Sequence, residues 1–244
     1  MRLAIISDIH ANIQALTRAL EKCDEVGVDE IVCLGDVVGY GGNPNECCDL
    51  IRERCSLTLM GNHDAAAAGV MDTDYYYEAA RRALFWTRQE LSDENFCWLY
   101  SLPYCHLRDE ADTALYHAAP ILPSGFYYVV RTEEAETLTR MKAGLYGHNF
   151  IGHSHLTTAY AYSGKKVKDV TGRYEYDEGC KYLVNVGSVG QPRDRNPDAC
   201  FVLFDTETKA MAHVRVPYDV ASASRKIREV GLDEKFARRL TVGV

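Results

Sequence analysis

The sequence predicts an α/β protein in which two layers of β-sheet share one core and helices flank them. Two observations lead to this fold class. The first sixty residues alternate aliphatic runs with helical periodicity, which is typical of parallel strands joined by right-handed crossovers. From about residue 104 the chain consists mostly of short strand-like runs separated by turns. Because no repeat or low-complexity linker separates the halves, we expect one domain over residues 1–244.

The N-terminal elements follow the alternating pattern in order. In "ANIQALTRALEKC", the apolar residues Ile13, Leu16 and Leu20 have helical spacing. "PNECCDLIRER" is predicted as a second helix, with Pro44 in its first turn. The strands predicted around these helices are "RLAIIS", "EIVCLGD" and "SLTLMGNHD". Sites in parallel sheets form at the carboxyl ends of the strands, which makes Asp8, Asp36 and Asn62 candidate site residues.

The rest of the chain divides into three stretches. Residues 73–100 are predicted to be helical and rich in aromatic side chains, and they would pack on the core or form a lid over a site. Residues 218–244 are predicted to close the chain as helices. The strands predicted between them are "YCHLR", "TALYHAA", "LYGHNFIGH", "TTAYAYS", "KKVKDV", "CKYLVNVGS", "ACFVLFD" and "MAHVRVPY".

Composition excludes several classes of function. No apolar run approaches the roughly 20 residues of a membrane helix, and the N-terminus lacks the apolar run of about 7–15 residues that a signal peptide needs. A net charge of −8 argues against a protein held to nucleic acid by general electrostatics. The nine cysteines contain no C-x-x-C pair, so we expect reduced thiols. We therefore expect a cytoplasmic protein without a membrane or stable nucleic-acid partner, while its oligomeric state stays open.

Five short motifs carry candidate metal ligands. Asp8 and His10 are two residues apart, as are His153 and His155 in "GHSH", and on an extended strand both members of such a pair face the same way. A carboxylate such as that of Asp36 has two oxygens and can bridge two cations. The other candidate ligands are Asn62 in "GNHD" and His117 in "LYHAAP". Oxygen and imidazole donors without thiolate favour Mn²⁺, Fe, Co²⁺, Ni²⁺ or Zn²⁺ over Ca²⁺.

Two residues of "GNHD" are candidates for catalysis rather than metal binding. His63 stands beside a candidate ligand without having to be one, so it is free to act as an acid. Asp64 could hydrogen-bond the imidazole and fix its tautomer. His148 also stands close to "GHSH", but its parity in a regular strand is opposite. We expect it to be a structural, hydrogen-bonded histidine at a strand end, and a third-shell or substrate role is the alternative.

The motif order "DIH", "GDVVGYGGNP", "GNHD", "H" and "GHSH" resembles that of the calcineurin-like metallophosphoesterases, over about residues 1–216. "NVGSVGQPRD" further resembles their small prokaryotic phosphodiesterase branch, which is related to diadenosine tetraphosphatases. The resemblance implies the calcineurin-like phosphoesterase fold and two divalent metal ions, with manganese favoured. It assigns one ion to Asp8, His10, Asp36 and His155, and the other to Asp36, Asn62, His117 and His153.

The same resemblance implies a mechanism, and the sequence departs from the usual family motifs at three places. A hydroxide bridging the metals would attack phosphorus, and His63, oriented by Asp64, would protonate the leaving oxygen or stabilise the phosphorane. Ala11 stands where the family usually has glycine, "HAAP" replaces "HGSP", and "NVGS" replaces "NPGS". None of these changes removes a ligand, so they bear on the shape of the substrate pocket.

Three residues flank the ligands and are candidate substrate contacts: Asn12, Tyr40 and Arg193. An arginine can bind a phosphate through two hydrogen bonds, although a surface ion pair with Asp194 or Asp198 is an alternative for Arg193.

The leading functional hypothesis is a dinuclear phosphoesterase that acts on phosphodiesters or other small phosphoesters. The alternatives within enzymes are a phosphomonoesterase, a protein phosphatase or a dinucleoside polyphosphate hydrolase. An alternative of another class is a non-catalytic scaffold on the same fold, like the phosphoesterase-related subunit of retromer. Intact ligand positions favour the enzyme over the scaffold.

Overall fold

The computed structural model describes residues 1–140, 144–174 and 176–244. Its strands are β1 (Arg2–Ile6), β2 (Glu30–Cys33), β3 (Leu57–Thr58), β4 (Cys105–Arg108), β5 (Thr113–Tyr116), β6 (His148–Ile151), β7 (Thr157–Ser163), β8 (Lys166–Asp169), β9 (Arg173–Tyr174), β10 (Lys181–Val186), β11 (Ala199–Asp205) and β12 (Met211–Val216). Its α-helices are α1 (Ile13–Val26), α2 (Pro44–Arg54), α3 (Asn62–Ala67), α4 (Glu78–Glu90), α5 (Asp93–Tyr100), α6 (Thr132–Arg140), α7 (Val220–Glu229) and α8 (Glu234–Val242).

Within the described ranges the strands form two mixed sheets. The first has the order β3-β2-β1-β11-β12-β9, and the second has the order β4-β5-β6-β10-β7-β8. Three neighbouring strands in each sheet are parallel, namely β3-β2-β1 in the first and β5-β6-β10 in the second. The predicted fold class, two sheet layers flanked by helices, is confirmed.

Alternation along β1 explains how the layers pack. Leu3 and Ile5 point into the space between the sheets, where they join Phe150 and Phe204 in a fully buried apolar cluster. Ala4 and Ile6 point the other way and pack against the apolar face of α1. Because the cluster between the sheets draws side chains from Leu3 to Met211, the two halves of the chain share this core.

The outer faces of the sheets are covered by helices. Helix α1 buries residues at helical spacing, Ala15, Leu16, Ala19, Leu20 and Cys23, against the first sheet. On the second sheet, Ala135 and Leu138 of α6 pack with Tyr160, Tyr162 and Leu183. No helix in the described parts of the chain is long and apolar enough to cross a bilayer.

Three features differ from the elements that the sequence predicts. The helical segment predicted over 73–100 begins at Glu78 and breaks before α5, where the Ser92 hydroxyl accepts from the Asn95 main-chain N–H at 3.2 Å. The strand predicted over "SLTLMGNHD" ends at Thr58, and Asn62 already opens α3. Helix α6 was not predicted, because only Ala135 and Leu138 mark its buried side among polar neighbours.

His148 lies in the sandwich core, which agrees with a structural role, but neither of its ring nitrogens has the predicted hydrogen-bond partner among the described residues. It begins β6 opposite Tyr182, and its side chain is buried. Its ring centroid lies 5.3 Å from that of Tyr182 and 4.8 Å from that of Phe204. Burial lowers the pKa of His148 from 6.5 to about 4, since an imidazolium there would lose its hydration.

This depressed pKa predicts a pH-dependent loss of stability. The folded protein resists protonation of His148, so the stabilising contribution is present above about pH 6.5 and is lost as the pH falls towards 4. In His148→Phe, we expect the loss of unfolding free energy between pH 7 and pH 5 to be smaller than in wild type by about 2 kcal/mol. Denaturant unfolding of the chelator-treated protein measures it.

Tyr174→Phe is the matched control, because this tyrosine stacks on Tyr182 in the same cluster and burial raises its pKa away from the range measured. It should show the wild-type pH dependence. An unchanged pH dependence in His148→Phe would contradict the prediction.

Candidate metal centre

All the candidate ligands except Asn62, which opens α3, lie on loops that leave the carboxyl ends of parallel strands in both sheets. Asp8 follows β1 and Asp36 follows β2, whereas His117 follows β5 and His153 follows β6. The seven side chains that the sequence predicts as ligands are all buried: Asp8, His10, Asp36, Asn62, His117, His153 and His155. The site therefore forms where the loops of the two sheets meet.

The geometric reason for their convergence differs from the one predicted. The 8/10 and 153/155 pairs do not lie on extended strands, because β1 ends at Ile6 and β6 ends at Ile151. Asp8, His10, His153 and His155 have left-handed backbone conformations, with φ of 54°, 49°, 67° and 58°. A non-glycine residue in this region costs about 1–2 kcal/mol. Strained loops, rather than strand parity, turn these side chains towards one point.

One group of four donors consists of Asp8, His10, Asp36 and His155, whose nearest donor atoms all lie within 4.8 Å of one another. The Nε2 atom of His155 lies 3.4 Å from Oδ1 of Asp8, and Nε2 of His10 lies 3.6 Å from Oδ2 of Asp36. The two Nε2 atoms of His10 and His155 are 3.0 Å apart.

Main-chain carbonyls set the tautomers of these two imidazoles. Nδ1 of His10 lies 3.2 Å from the carbonyl oxygen of Val38, and Nδ1 of His155 lies 2.5 Å from that of Gln191. Each Nδ1 must donate its hydrogen to the carbonyl, which leaves both facing Nε2 atoms with lone pairs. Two lone pairs at 3.0 Å repel each other, and a cation close to both would relieve that repulsion.

A second group consists of Asp36, His117 and His153, with Asn62 beside it. Nε2 of His117 lies 3.5 Å from Oδ2 of Asp36 and 3.3 Å from Oδ1 of Asn62. The Asp36 Oδ2 atom is thus close to an imidazole of each group, while its Oδ1 accepts from the His63 main-chain N–H at 2.7 Å. A single oxygen of Asp36 lies between the two groups, rather than one oxygen in each.

The electrostatics of the site fit a divalent cation. Asp8 Oδ1 and His153 Nε2 are buried without a hydrogen-bond partner among the described residues. Burial lowers the pKa of His153 to about 3 and raises that of Asp8 to about 7. Burial also lowers the pKa of His117, but the carboxylates of Asp36, Asp8 and Asp64 together outweigh it and raise that pKa to about 9. Unpaired oxygen and imidazole donors are the ligands that Mn²⁺, Fe, Co²⁺, Ni²⁺ and Zn²⁺ take.

His63 reaches the site without belonging to either donor group. Its ring centroid lies 4.3 Å from that of Tyr40 and 4.8 Å from that of His10, and burial lowers its pKa to about 4. Its Nδ1 has no hydrogen-bond partner in the parts of the chain that the structure describes. A side chain at Gly39 would collide with this nitrogen, so glycine is required there.

Asp64 does not hold the His63 ring, contrary to the sequence-based interpretation. Its Oδ1 accepts from the Val38 main-chain N–H at 3.2 Å, and its Oδ2 accepts from that of Gly61 at 3.0 Å. Asp64 therefore ties the loop after β2 to the start of α3. Because Asp64 lies in the short helix α3, its carboxylate points back onto this loop. The sequence-based interpretation treats "GNHD" as the end of a strand, which would not give this direction.

The three predicted substrate contacts differ in whether they have polar atoms free to bind a substrate. Both polar atoms of the Asn12 side chain are engaged, since Nδ2 donates to the Gly190 carbonyl at 2.8 Å and Oδ1 accepts from the Ala15 main-chain N–H at 3.1 Å. Asn12 is thus an N-cap and loop tie, and the prediction of a substrate contact is not supported. Tyr40 is buried against the His63 ring, with most of its surface covered.

Of the three candidates, Arg193 is the one with a side-chain donor left to bind a substrate. Its guanidinium lies over the Tyr40 ring at 5.7 Å and donates to the Gln191 side chain at 2.9 Å. Its Nε is buried without a partner among the described residues. The alternative of an ion pair with Asp194 is not observed, because Asp194 instead pairs with Arg215.

Two tyrosines at the site were missed from the sequence. The Asn62 side-chain N–H donates to the Tyr76 hydroxyl at 2.6 Å, and that hydroxyl donates to the Asn62 carbonyl at 3.1 Å, which points Asn62 Oδ1 at the metal site. The Tyr128 ring stacks on that of His153 with centroids 3.8 Å apart. The run Tyr75–Tyr77 signalled an aromatic segment, but nothing in the pattern singled out its middle member.

A family model supports what this geometry indicates. The model of the calcineurin-like phosphoesterase superfamily domain matches residues 1–209. The chain belongs to the calcineurin-like phosphoesterase superfamily. The family resemblance stated from the motifs is therefore confirmed, and a calcineurin-like phosphoesterase with buried histidine and aspartate clusters is a metal-dependent hydrolase of phosphoesters by family.

Three known proteins are similar over nearly the whole chain. An uncharacterised protein of Methanocaldococcus jannaschii is 36% identical over 99% of this chain and 98% of its own. The crystal structure of a metallophosphoesterase from Sphaerobacter thermophilus matches with a TM-score of 0.85 and 33% identity, covering 100% of this chain and 99% of that one. A hypothetical protein from Pyrococcus horikoshii shares the fold, with a TM-score of 0.79 and 21% identity over 100% and 98% of the chains.

The contact between Tyr76 and Asn62 predicts a selective effect on metal binding by the second of the two donor groups. Tyr76→Phe removes the hydroxyl that orients the Asn62 amide, so we expect about 10–100-fold weaker binding of Mn²⁺ at one site and unchanged binding at the other. Titration calorimetry on the chelator-treated protein measures both affinities.

Tyr75→Phe is the matched control, because Tyr75 is the neighbouring tyrosine and is 91% exposed. It should bind Mn²⁺ as wild type does. Unaltered Mn²⁺ binding in Tyr76→Phe would contradict an orienting role of the Tyr76 hydroxyl.

Proposed function

We propose that this calcineurin-like phosphoesterase is a dinuclear metal-dependent enzyme that hydrolyses phosphodiesters or other small phosphoesters. The observation that supports it most directly is the position of Asp36 Oδ2, 3.6 Å from His10 Nε2 in one donor group and 3.5 Å from His117 Nε2 in the other. One carboxylate oxygen so placed suits a bridge between two cations.

The donor groups divide the ligands of the proposed enzyme into two sets. Asp8, His10, Asp36 and His155 would hold one cation. Asp36, Asn62, His117 and His153 would hold the other. When bound, two such cations supply a water-derived nucleophile near neutral pH and stabilise charge on the attacking and leaving oxygens.

His63 is the proposed proton donor to the leaving oxygen. A pKa of about 4 means that the ring is neutral at pH 7 before substrate binds, and a neutral imidazole still carries one N–H. An anionic phosphoester beside the ring favours its protonated form. We infer that His63 hydrogen-bonds the developing charge on the leaving oxygen and transfers its proton there. Asp64 acts on this step only indirectly, through the loop that it holds.

Arg193 is the proposed anchor for a non-bridging phosphoryl oxygen. Its Nε is buried and unpaired among the described residues, and its planar guanidinium suits a phosphate. The Gln191 side chain and the Tyr40 ring hold the guanidinium in place. Because the chain as a whole carries a charge of −8, a local positive site of this kind gives an anionic substrate one place to bind.

Small substrates are favoured over folded protein substrates. The ligands are buried, and the tyrosines Tyr76 and Tyr128 lie directly beside them. Because "NVGSVGQPRD" resembles the phosphodiesterase branch, we favour a phosphodiesterase, with phosphomonoesters and dinucleoside polyphosphates as further substrates to be tried. Manganese is the metal that we propose first.

Asp36→Asn tests the shared carboxylate. Both donor groups lose charge at the oxygen between them, so we expect hydrolysis of bis(4-nitrophenyl) phosphate with added Mn²⁺ to fall by about 10³-fold or more. Asp74→Asn, at an exposed aspartate, is the control and should keep wild-type rates. Circular dichroism establishes that both variants are folded.

Near-wild-type hydrolysis by Asp36→Asn would refute the dinuclear proposal. Absence of bound metal and of hydrolysis in the wild-type protein, over a panel of Mn²⁺, Zn²⁺, Ni²⁺, Co²⁺ and Fe²⁺, would instead support the non-catalytic scaffold.

His63→Asn tests the proton donor separately from metal binding. We expect two metal ions per chain, as in wild type, with kcat lowered by about 10²–10⁴-fold. The loss should be larger for methyl phenyl phosphate than for methyl 4-nitrophenyl phosphate, because phenolate is the poorer leaving group and needs the proton more. Equal losses for the two esters would show that His63 does not protonate the leaving oxygen.

A further inference from the structure

We propose that the loop 119–128 and helix α6 form a subsite beside the metal centre that binds a planar aromatic group of the substrate, of the class of a nucleobase or an aryl ring. The inference rests on the proposed function and deepens it, since it names what is esterified to the phosphate. We call this cavity the aromatic subsite. Its lining includes Ala119, Leu122, Tyr127, Tyr128, Glu134 and Leu138.

The first step of the argument is continuity with the metal centre. Tyr128 belongs to the lining of the aromatic subsite and also stacks on the candidate ligand His153, with ring centroids 3.8 Å apart. Ala119 follows the candidate ligand His117 by two residues, so their Cα atoms are at most about 7.6 Å apart. A phosphoester held at the metal centre can therefore reach the cavity with the group that it carries.

The second step is size and chemistry. The cavity has a volume of about 370 Å³, which is within the range of small-molecule sites. Tyr127 and Tyr128 are 54% and 53% exposed and Leu122 is 68% exposed, so three large apolar surfaces face solvent together at this place. Flat aromatic and aliphatic walls of this kind bind a planar ring by stacking and by burial of apolar surface.

The third step is charge. Glu134 is the ionisable acid of the described lining, and the neighbouring Arg131 already neutralises it through two hydrogen bonds, the shorter of them 2.8 Å. No lysine or arginine is among the described lining residues. The lining thus offers no cationic side chain to a second phosphate. An uncharged ring, in contrast, would lose little hydration free energy on entering the cavity.

The fourth step is the backbone of the loop. Leu122 and Phe126 are in the left-handed region, with φ of 45° and 48°, although neither is glycine. Such strain persists where the surroundings hold it, and it concentrates at ligand clamps. Phe126 is buried with its ring centroid 5.8 Å from that of His117, so the same loop that presents the tyrosines is anchored on the metal centre.

Phosphonates that cannot be hydrolysed test the subsite by titration calorimetry of the Mn²⁺-loaded protein. Methylphosphonate reports the phosphate site alone, while benzylphosphonate and the methylenephosphonate analogue of AMP add an aryl ring or a nucleobase. We expect at least one ring-bearing probe to bind wild type about tenfold more tightly than methylphosphonate. The probe that gains more identifies the class of ring.

Two variants and one control locate the gain. Tyr127→Ala removes a wall, and Thr137→Trp fills the cavity from an exposed position on α6, so each should reduce the ratio of the two dissociation constants to less than threefold. Phe85→Ala removes an aromatic ring of similar exposure, 65%, from helix α4 and should keep the wild-type ratio.

Hydrolysis of bis(4-nitrophenyl) phosphate is measured in parallel and reports the proposed function separately. Equal affinity of wild type for all three probes, or a ratio that neither variant changes, would overturn the aromatic subsite even where hydrolysis is intact. A ring preference that both variants abolish would support the subsite even if the esterase assay failed.

Discussion

The site depends on one buried carboxylate, that of Asp36, which is shared between imidazoles from different sheets. Its Oδ2 lies 3.6 Å from Nε2 of His10 and 3.5 Å from Nε2 of His117. His10 is on a loop of the first sheet and His117 on a loop of the second, so the packing of the two sheets sets the distance between the donor groups. The start of α3 can approach the Asp36 carboxylate closely because Gly61 has no side chain. A side chain at this position would collide with Asp36.

Backbone strain is the cost of this arrangement. Seven residues at or beside the site, Asp8, His10, Ala11, Asp36, Tyr40, His153 and His155, have left-handed backbone conformations. The main-chain N–H groups of Asp8 and His10 each donate at 2.9 Å to a carbonyl of the loop after β2, and these bonds hold the strained loops together. Ala11 has a φ of 52°, where the glycine usual in the family would be relaxed. The departure at Ala11 therefore adds backbone strain next to the candidate ligand His10.

The sequence was sufficient for the fold class and for the choice of candidate donors that lie together, because both depend on local signals. Strand-end polar motifs and helical spacing are visible in short windows, and the seven predicted ligands do converge. The direction of the Asp64 carboxylate was predicted wrongly, since it depends on α3 replacing a strand at Asn62. The contacts of Tyr76 and Tyr128 join residues distant in the chain, and no spacing encodes them.

Recognition and chemistry are divided between different parts of the fold. The candidate donors and His63 lie on loops after strand ends and on the first turn of α3, where they are buried, and fixed positioning of this kind is what phosphoryl transfer requires. The aromatic subsite is instead built from a loop and a helix packed on the outer face of the second sheet. Changes in that loop alter which group fits beside the phosphate while the ligands stay in place. We therefore expect departures such as "HAAP", which begins at His117 and enters this loop, to bear on the substrate rather than on the metals.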